Sequence, residues 1–293
     1  MTGVLALSLS LALALVACGG GDAASSATPV ATLAAATPTG TLTPPAGRIA
    51  PSVLTGAGAA EKQSATIKVA AASDLRTAMT AHTAGIENAC NTRINWVFGS
   101  SGQLTTQIAA GADFGLLLSA DVEYLRDLAS KGLLVPNGTA AYSVGRIVVA
   151  TRPGLEPVTK LSDLSRPDIR KIAIANPDHA PYGRAGKQAL EAAGMYDAIK
   201  ERLVLGENIR QVTDYVEQGN ADAGIVALAL VINGSPSRWT LIDAATHRPI
   251  EQGGGVVKGT GAELTGRCIL QFLLNPPGQA ILQRYGFEEV AAR

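Results

Sequence analysis

From residue 66 to residue 285 the chain alternates short apolar runs of strand length with longer amphipathic runs, and this rhythm narrows the fold more than any other feature. The short runs read as strands over 66–70, 94–98, 114–119, 146–151, 171–175, 202–205, 223–227 and 239–243. Helices are expected over 75–90, 103–110, 122–131, 184–193, 196–201, 209–218, 264–274 and 277–285. Mostly apolar strands between helices describe an α/β protein whose parallel sheets are covered on both faces. Ligands of such sheets sit beyond the carboxyl ends of the strands.

Four joints at such strand ends carry the chemistry. Thr66-Ile67-Lys68-Val69-Ala70 runs into Ser73-Asp74 and an amphipathic stretch. Ile94-Asn95-Trp96-Val97-Phe98 runs into Gly99-Ser100-Ser101-Gly102 and another. Lys171 to Pro177 precedes His179-Ala180-Pro181-Tyr182-Gly183-Arg184, and Glu207-Asn208-Ile209-Arg210 follows the next strand. Each joint leaves free backbone N–H groups at a helix start. With hydroxyl residues beside them, these starts suit a small anion.

At the first joint an Asp beside an anion is repulsive, so Asp74 is expected to cap the helix and Ser73 to meet the ligand. Glycines at the second joint let the backbone approach closely. A flexible connection explains that segment equally well. Arg184 and Arg210 face solvent, pair on the surface or bridge lobes. The three histidines, His82, His179 and His247, are scattered, and no Ser-His-Asp or metal-spaced cluster assembles at short range. No Gly-Lys-Ser or Gly-Lys-Thr occurs, which excludes a Walker loop. Binding, not catalysis, is therefore expected.

Composition divides the 293 residues sharply. Residues 1–17 are apolar and end in Leu15-Val16-Ala17-Cys18, which reads as a bacterial lipoprotein signal cleaved before a lipid-bearing Cys18. A plain signal peptide or a buried helix is the alternative, and the Met-Thr-Gly-Val start lacks the usual Lys or Arg. Residues 18–65 are rich in Ala, Thr, Pro, Gly and Ser, a composition that cannot offset its ordering entropy and reads as a disordered tether. The remaining ~230 residues suffice for one large or two modest domains. The rhythm breaks near Pro136-Asn137-Gly138 and again near His247-Arg248-Pro249. One lobe is thus expected from 66–141 plus 246–293 and another from 142–245, with two crossings forming a hinge. Net charge is zero and no basic run exists, which argues against nucleic acid. Beyond Cys18 only Cys90 and Cys268 remain, and whether they form a disulfide or two buried thiols depends on geometry.

Five motifs in order carry a resemblance. They are Val69-Ala70-Ala71-Ala72-Ser73-Asp74-Leu75, Phe98-Gly99-Ser100-Ser101-Gly102-Gln103-Leu104, Leu118-Ser119-Ala120-Asp121, Asn176 through Gly183, and Arg284-Tyr285-Gly286-Phe287. Together they resemble the molybdate-binding proteins of molybdate ABC transporters. The resemblance implies a two-lobed periplasmic-binding-protein fold without a cofactor. It implies molybdate or tungstate as ligand, held in the interlobe cleft by neutral hydrogen bonds, and a membrane permease as partner. Carried over residue by residue, the donors are the hydroxyls of Ser73 and Ser101 and the backbone N–H groups of Tyr182 and Ile209, so molybdenum is held only as its oxyanion. Many members place a tyrosine after Gly-Ile-Val, where this chain has Ala227. The hydroxyl of Tyr182 is the expected substitute. The protein is expected outside the cytoplasm, as a lipid-anchored monomer.

Overall fold

In the computed structural model, which describes residues 65–290, the alternation resolves into two five-stranded mixed sheets. The first is built from β1 (Thr66–Ala72), α1 (Arg76–Cys90), β2 (Arg93–Gly99), α2 (Ser101–Ala109), β3 (Leu116–Ser119), α3 (Val122–Ser130) and β4 (Leu134–Gly145). The chain then enters the second sheet through β5 (Ile147–Thr151), β6 (Ile172–Ala175), α4 (Pro181–Ala192), α5 (Tyr196–Ile199), β7 (Leu203–Gly206) and α6 (Ile209–Glu217). That sheet ends with β8 (Ala223–Ala227), α7 (Leu228–Val231) and β9 (Arg238–Leu241). The chain returns to the first sheet as β10 (Ile250–Val257), followed by α8 (Glu263–Leu274) and α9 (Pro276–Arg284).

Strand order is β2-β1-β3-β10-β4 in the first sheet and β7-β6-β8-β5-β9 in the second. In each, three neighbouring strands are parallel and two more pair antiparallel at one side. Alternation along the parallel strands explains the packing. Val69, Ala71, Leu116 and Leu118 join the core under α1 and α8, while Ala70 and Leu117 point into the opposite core under α2 and α3. Both faces are dry, so the strands read as continuous apolar runs.

Two strands depart from expectation. β4 is not expected from the sequence, because Pro136-Asn137-Gly138 resembles a turn. Here it is a bulge, with Asn137 at φ 54° and the pairing to β10 shifting register nearby. β10 was missed because its centre is Gly253-Gly254-Gly255. A Cβ on those residues would lie 2.4–2.9 Å from side chains of Leu125, Leu270 or Leu134, so glycine is what lets the covering leucines lie against the strand. β4 also runs past the expected lobe boundary at 141/142. Tyr142 and Ser143 are buried and β4 stays in the first sheet as far as Gly145, pairing there with Ile250. The crossings fall at Arg146 and within 242–249.

Cys90 at the end of α1 and Cys268 on α8 form a disulfide, with Cα atoms 5.7 Å apart. The expected signal segment, Cys18 and the tether lie outside the described residues. Among the described residues no helix is long and apolar enough to cross a membrane.

Candidate functional site

The ends of β1, β2 and β3 meet the starts of α4 and α6 around one small cavity between the sheets, with a volume of about 10 Å³. Pockets for organic ligands run to roughly 300–1,000 Å³, so this one suits a much smaller group. Ser73, Ser101, Tyr182 and Ile209, the four residues singled out in the sequence, all line it.

Both serines are oriented as donors. Ser101 opens α2, and its Oγ accepts the N–H of Ala120 at 2.9 Å. Ser73 lies in a short 3-10 turn after β1, and its Oγ accepts the N–H of Arg210 at 3.4 Å from across the cleft. A hydroxyl that already accepts a bond keeps its own O–H to give. The neighbouring Ser100 takes the capping role instead, accepting the N–H of Gln103.

The two residues expected to give backbone N–H groups, Tyr182 and Ile209, lie at helix starts. The sequence predicts a helix from Arg184, whereas α4 begins at Pro181, whose fixed φ and missing N–H suit the first position. Tyr182 therefore lies in the first turn, where its amide has no helical acceptor. Ile209 is the first residue of α6, and Asn208 caps that helix by accepting from Gln211 instead. All four residues are at most 3% exposed.

Two expectations fail on geometry. Asp74 caps no helix, since the 3-10 turn and α1 have no side-chain cap. It is fully buried and accepts the Tyr182 hydroxyl at 2.9 Å on Oδ2, the oxygen that also accepts Gln252 Nε2. The hydroxyl of Tyr182 is thereby committed to Asp74, so it is not the free substitute for the tyrosine missing at Ala227. Tyr142 completes the network by donating to Gln252 Oε1 at 3.3 Å. Burial pushes the Asp74 carboxyl up to about 6, against the opposing effect of its bonds to Gln252 and Tyr182. Burial, and then the charge of Asp74, pushes both tyrosine hydroxyls well above their ordinary range.

Around the cavity the two halves are clasped together. His179, before α4, bonds Ser100 Oγ through Nδ1 at 2.8 Å, and its carbonyl accepts the N–H of Gly102 at 3.0 Å. A Cβ on Gly102 would lie 2.6 Å from that carbonyl, so glycine is required for the approach. Arg184 bridges to Asp121 at 2.5 Å and to the Tyr124 hydroxyl at 3.0 Å, which makes it an interlobe residue. Arg210 instead pairs with Asp214 and Glu217 on its own helix. Ser100, His179 and Glu207 stand in the order of a hydrolytic triad. However, Glu207 is 3.6 Å away with its side chain 64% exposed, and it accepts from Gln103 Nε2 at 2.6 Å, so the row serves as a clasp. Among the described residues no His, Cys, Asp and Glu cluster could hold a bare metal ion.

A family model described as "Bacterial extracellular solute-binding protein" matches residues 67–288. The molybdate-binding protein ModA of Rhodobacter capsulatus is 31% identical over 194 residues, covering 66% of this chain and 77% of that protein. The putative ABC transporter substrate-binding lipoprotein YvgL of Bacillus subtilis is 33% identical over 65% of this chain and 73% of its own. Among solved structures, the periplasmic molybdate-binding protein of Azotobacter vinelandii superposes with a TM-score of 0.72 at 27% identity, covering 78% of this chain and all of that one. With its two lobes, its cleft and a family match that spans both, the chain belongs to the bacterial extracellular solute-binding proteins.

Proposed function

We propose that this chain captures molybdate or tungstate outside the cytoplasm by closing its lobes, and delivers the anion to the membrane permease of an ABC importer. The observation that carries the reading is the donor set: two serine hydroxyls, each turned outward by an accepted amide, and two helix-start amides, around a cavity that no cation lines. Such a set holds a tetrahedral dianion because aligned peptide dipoles and charge-assisted hydrogen bonds replace its hydration. Hydrogen bonds to oxyanion oxygens come from Ser73, Ser101, Tyr182 N and Ile209 N, and the metal itself touches no protein atom. Relatives named for molybdate binding support the assignment. In this reading the receptor is a monomer tethered by lipid on Cys18.

The runner-up is a receptor or sensor for another tetrahedral oxyanion, since Ala227 offers no hydroxyl at the place where the resemblance implies a tyrosine. Calorimetric titration of the purified protein with molybdate, tungstate, sulfate and phosphate separates the two. Tight binding of the first two alone is expected, and preference for sulfate or phosphate overturns the assignment.

A further inference from the structure

Asp74 is the one charged side chain on the wall of this cavity, and its sign is wrong for an anion site. Groups from three other elements hold it. Tyr182 from α4 and Gln252 from β10 both donate to Oδ2, and Tyr142 from β4 stands behind Gln252. The backbone N–H groups of Asp74 and Leu75 also face the carboxyl. None of these groups is a cation. The second oxygen, Oδ1, is buried with no hydrogen-bond partner. A dianion placed in the cavity therefore shares a dry, poorly screened space with a carboxylate that nothing neutralises.

We propose that oxyanion capture is proton-coupled, each dianion bringing one proton from solvent onto Asp74 as the lobes close. The proposal rests on the oxyanion reading above. The only bond formed is O–H. Oδ2 keeps its two donors, and Oδ1, which has no partner, receives the proton. Burial, even against the lowering effect of its hydrogen bonds, already holds the carboxyl at about 6 before any anion arrives, and a neighbouring dianion moves it further the same way. The sign follows. The bound protein holds more protons than the free one, so affinity rises as pH falls, by up to about tenfold per pH unit where free Asp74 is ionised and bound Asp74 is not. Asp74 thus sets which total charge the closed site accepts.

The test is calorimetric titration of the full chain with sodium molybdate at about pH 7.5 in two buffers of different ionisation enthalpy, Tris and Hepes. Apparent heats that differ by the equivalent of about one proton per anion are expected for the wild type. Asp74→Asn keeps the shape and an acceptor for Tyr182 but cannot titrate. It should show no proton uptake and, near pH 8, bind about tenfold more tightly than the wild type, an outcome that a merely structural Asp74 would reverse. Equal heats in both buffers with molybdate binding intact overturn proton coupling and leave the oxyanion reading standing. Absence of binding to any tetrahedral oxyanion overturns both. If Asp74→Asn does not fold, the wild-type comparison still decides.

Discussion

A serine in a binding cleft is informative only when its hydrogen has a direction. Ser101 and Ser73 have one, because each Oγ is already taken as an acceptor by a backbone amide. Truncating either to alanine removes one charge-assisted hydrogen bond in a dry site. Ser101→Ala and Ser73→Ala should each weaken anion binding by about 1.5–3 kcal/mol, roughly ten- to hundredfold in Kd by calorimetry. Wild-type affinity in both variants would refute the two-serine site. Tyr182→Phe is a different experiment, because the lost hydroxyl belongs to the Asp74 network. It should weaken molybdate, tungstate and sulfate by similar factors, through poorer closure, with the ranking of the three unchanged. A change in ranking would mean that the hydroxyl touches the anion. That these four positions line one cavity agrees with the strand-to-helix joints that the sequence shows, although their choice as donors came from the family resemblance. The role of Asp74 was not legible in the sequence. Its partner Gln252 is 178 residues away in a glycine-rich stretch, and no local signal connects them.

Elements that obey the simple rules were the ones that could be read in advance. The parallel strands have apolar residues on both faces, and their helices have clear apolar stripes. β4 and β10 broke the pattern in opposite ways, one by carrying turn residues inside a bulge and the other by using glycine where leucines press onto the strand. The beginning of α4 was misplaced by a few residues for a related reason, since Pro181-Tyr182-Gly183 reads as a turn until the proline is recognised as the first helical residue. The disulfide between α1 and α8 lies wholly within the first lobe. Its reduction should lower stability by a typical ~2–4 kcal/mol, through the freedom returned to the unfolded chain. Chemical denaturation with and without dithiothreitol would measure this, with anion affinity in native buffer expected to stay the same. A loss of affinity on reduction would mean that α1 and α8 help shape the cleft.

In the proposed capture, binding and closure are one equilibrium for the molecule as a whole, and the clasp at the rim contributes to it independently of the donors. Arg184 reaches from α4 to Asp121 and Tyr124 on the other side, half-buried and without contact to the cavity. Arg184→Ala should favour the open form and weaken affinity several-fold, about 1 kcal/mol for a partly solvated pair. Stopped-flow kinetics should assign that loss to faster release, with the association rate nearly constant. If association slows instead, Arg184 guides the anion inward and is not a latch. The two-lobed plan was foreseen from two breaks in the rhythm. That β4 runs on past Tyr142 could not be read from the sequence, because composition alone does not distinguish a buried residue inside a paired strand from the start of a new lobe.

The Cys90–Cys268 bond also bears on what happens when the protein is cut. Every residue of the second sheet and both crossings between the sheets lie within the covalent ring that this bond closes. A protease that severs any one peptide bond inside the ring opens it without releasing a piece. The two fragments remain a single molecule, with Ser73 after β1 and Ser101 of α2 still facing the starts of α4 and α6. A receptor working outside the cell can therefore be nicked once in any exposed loop of that ring and still keep both halves of its grip on the same anion. On a gel it would run as two bands only after reduction.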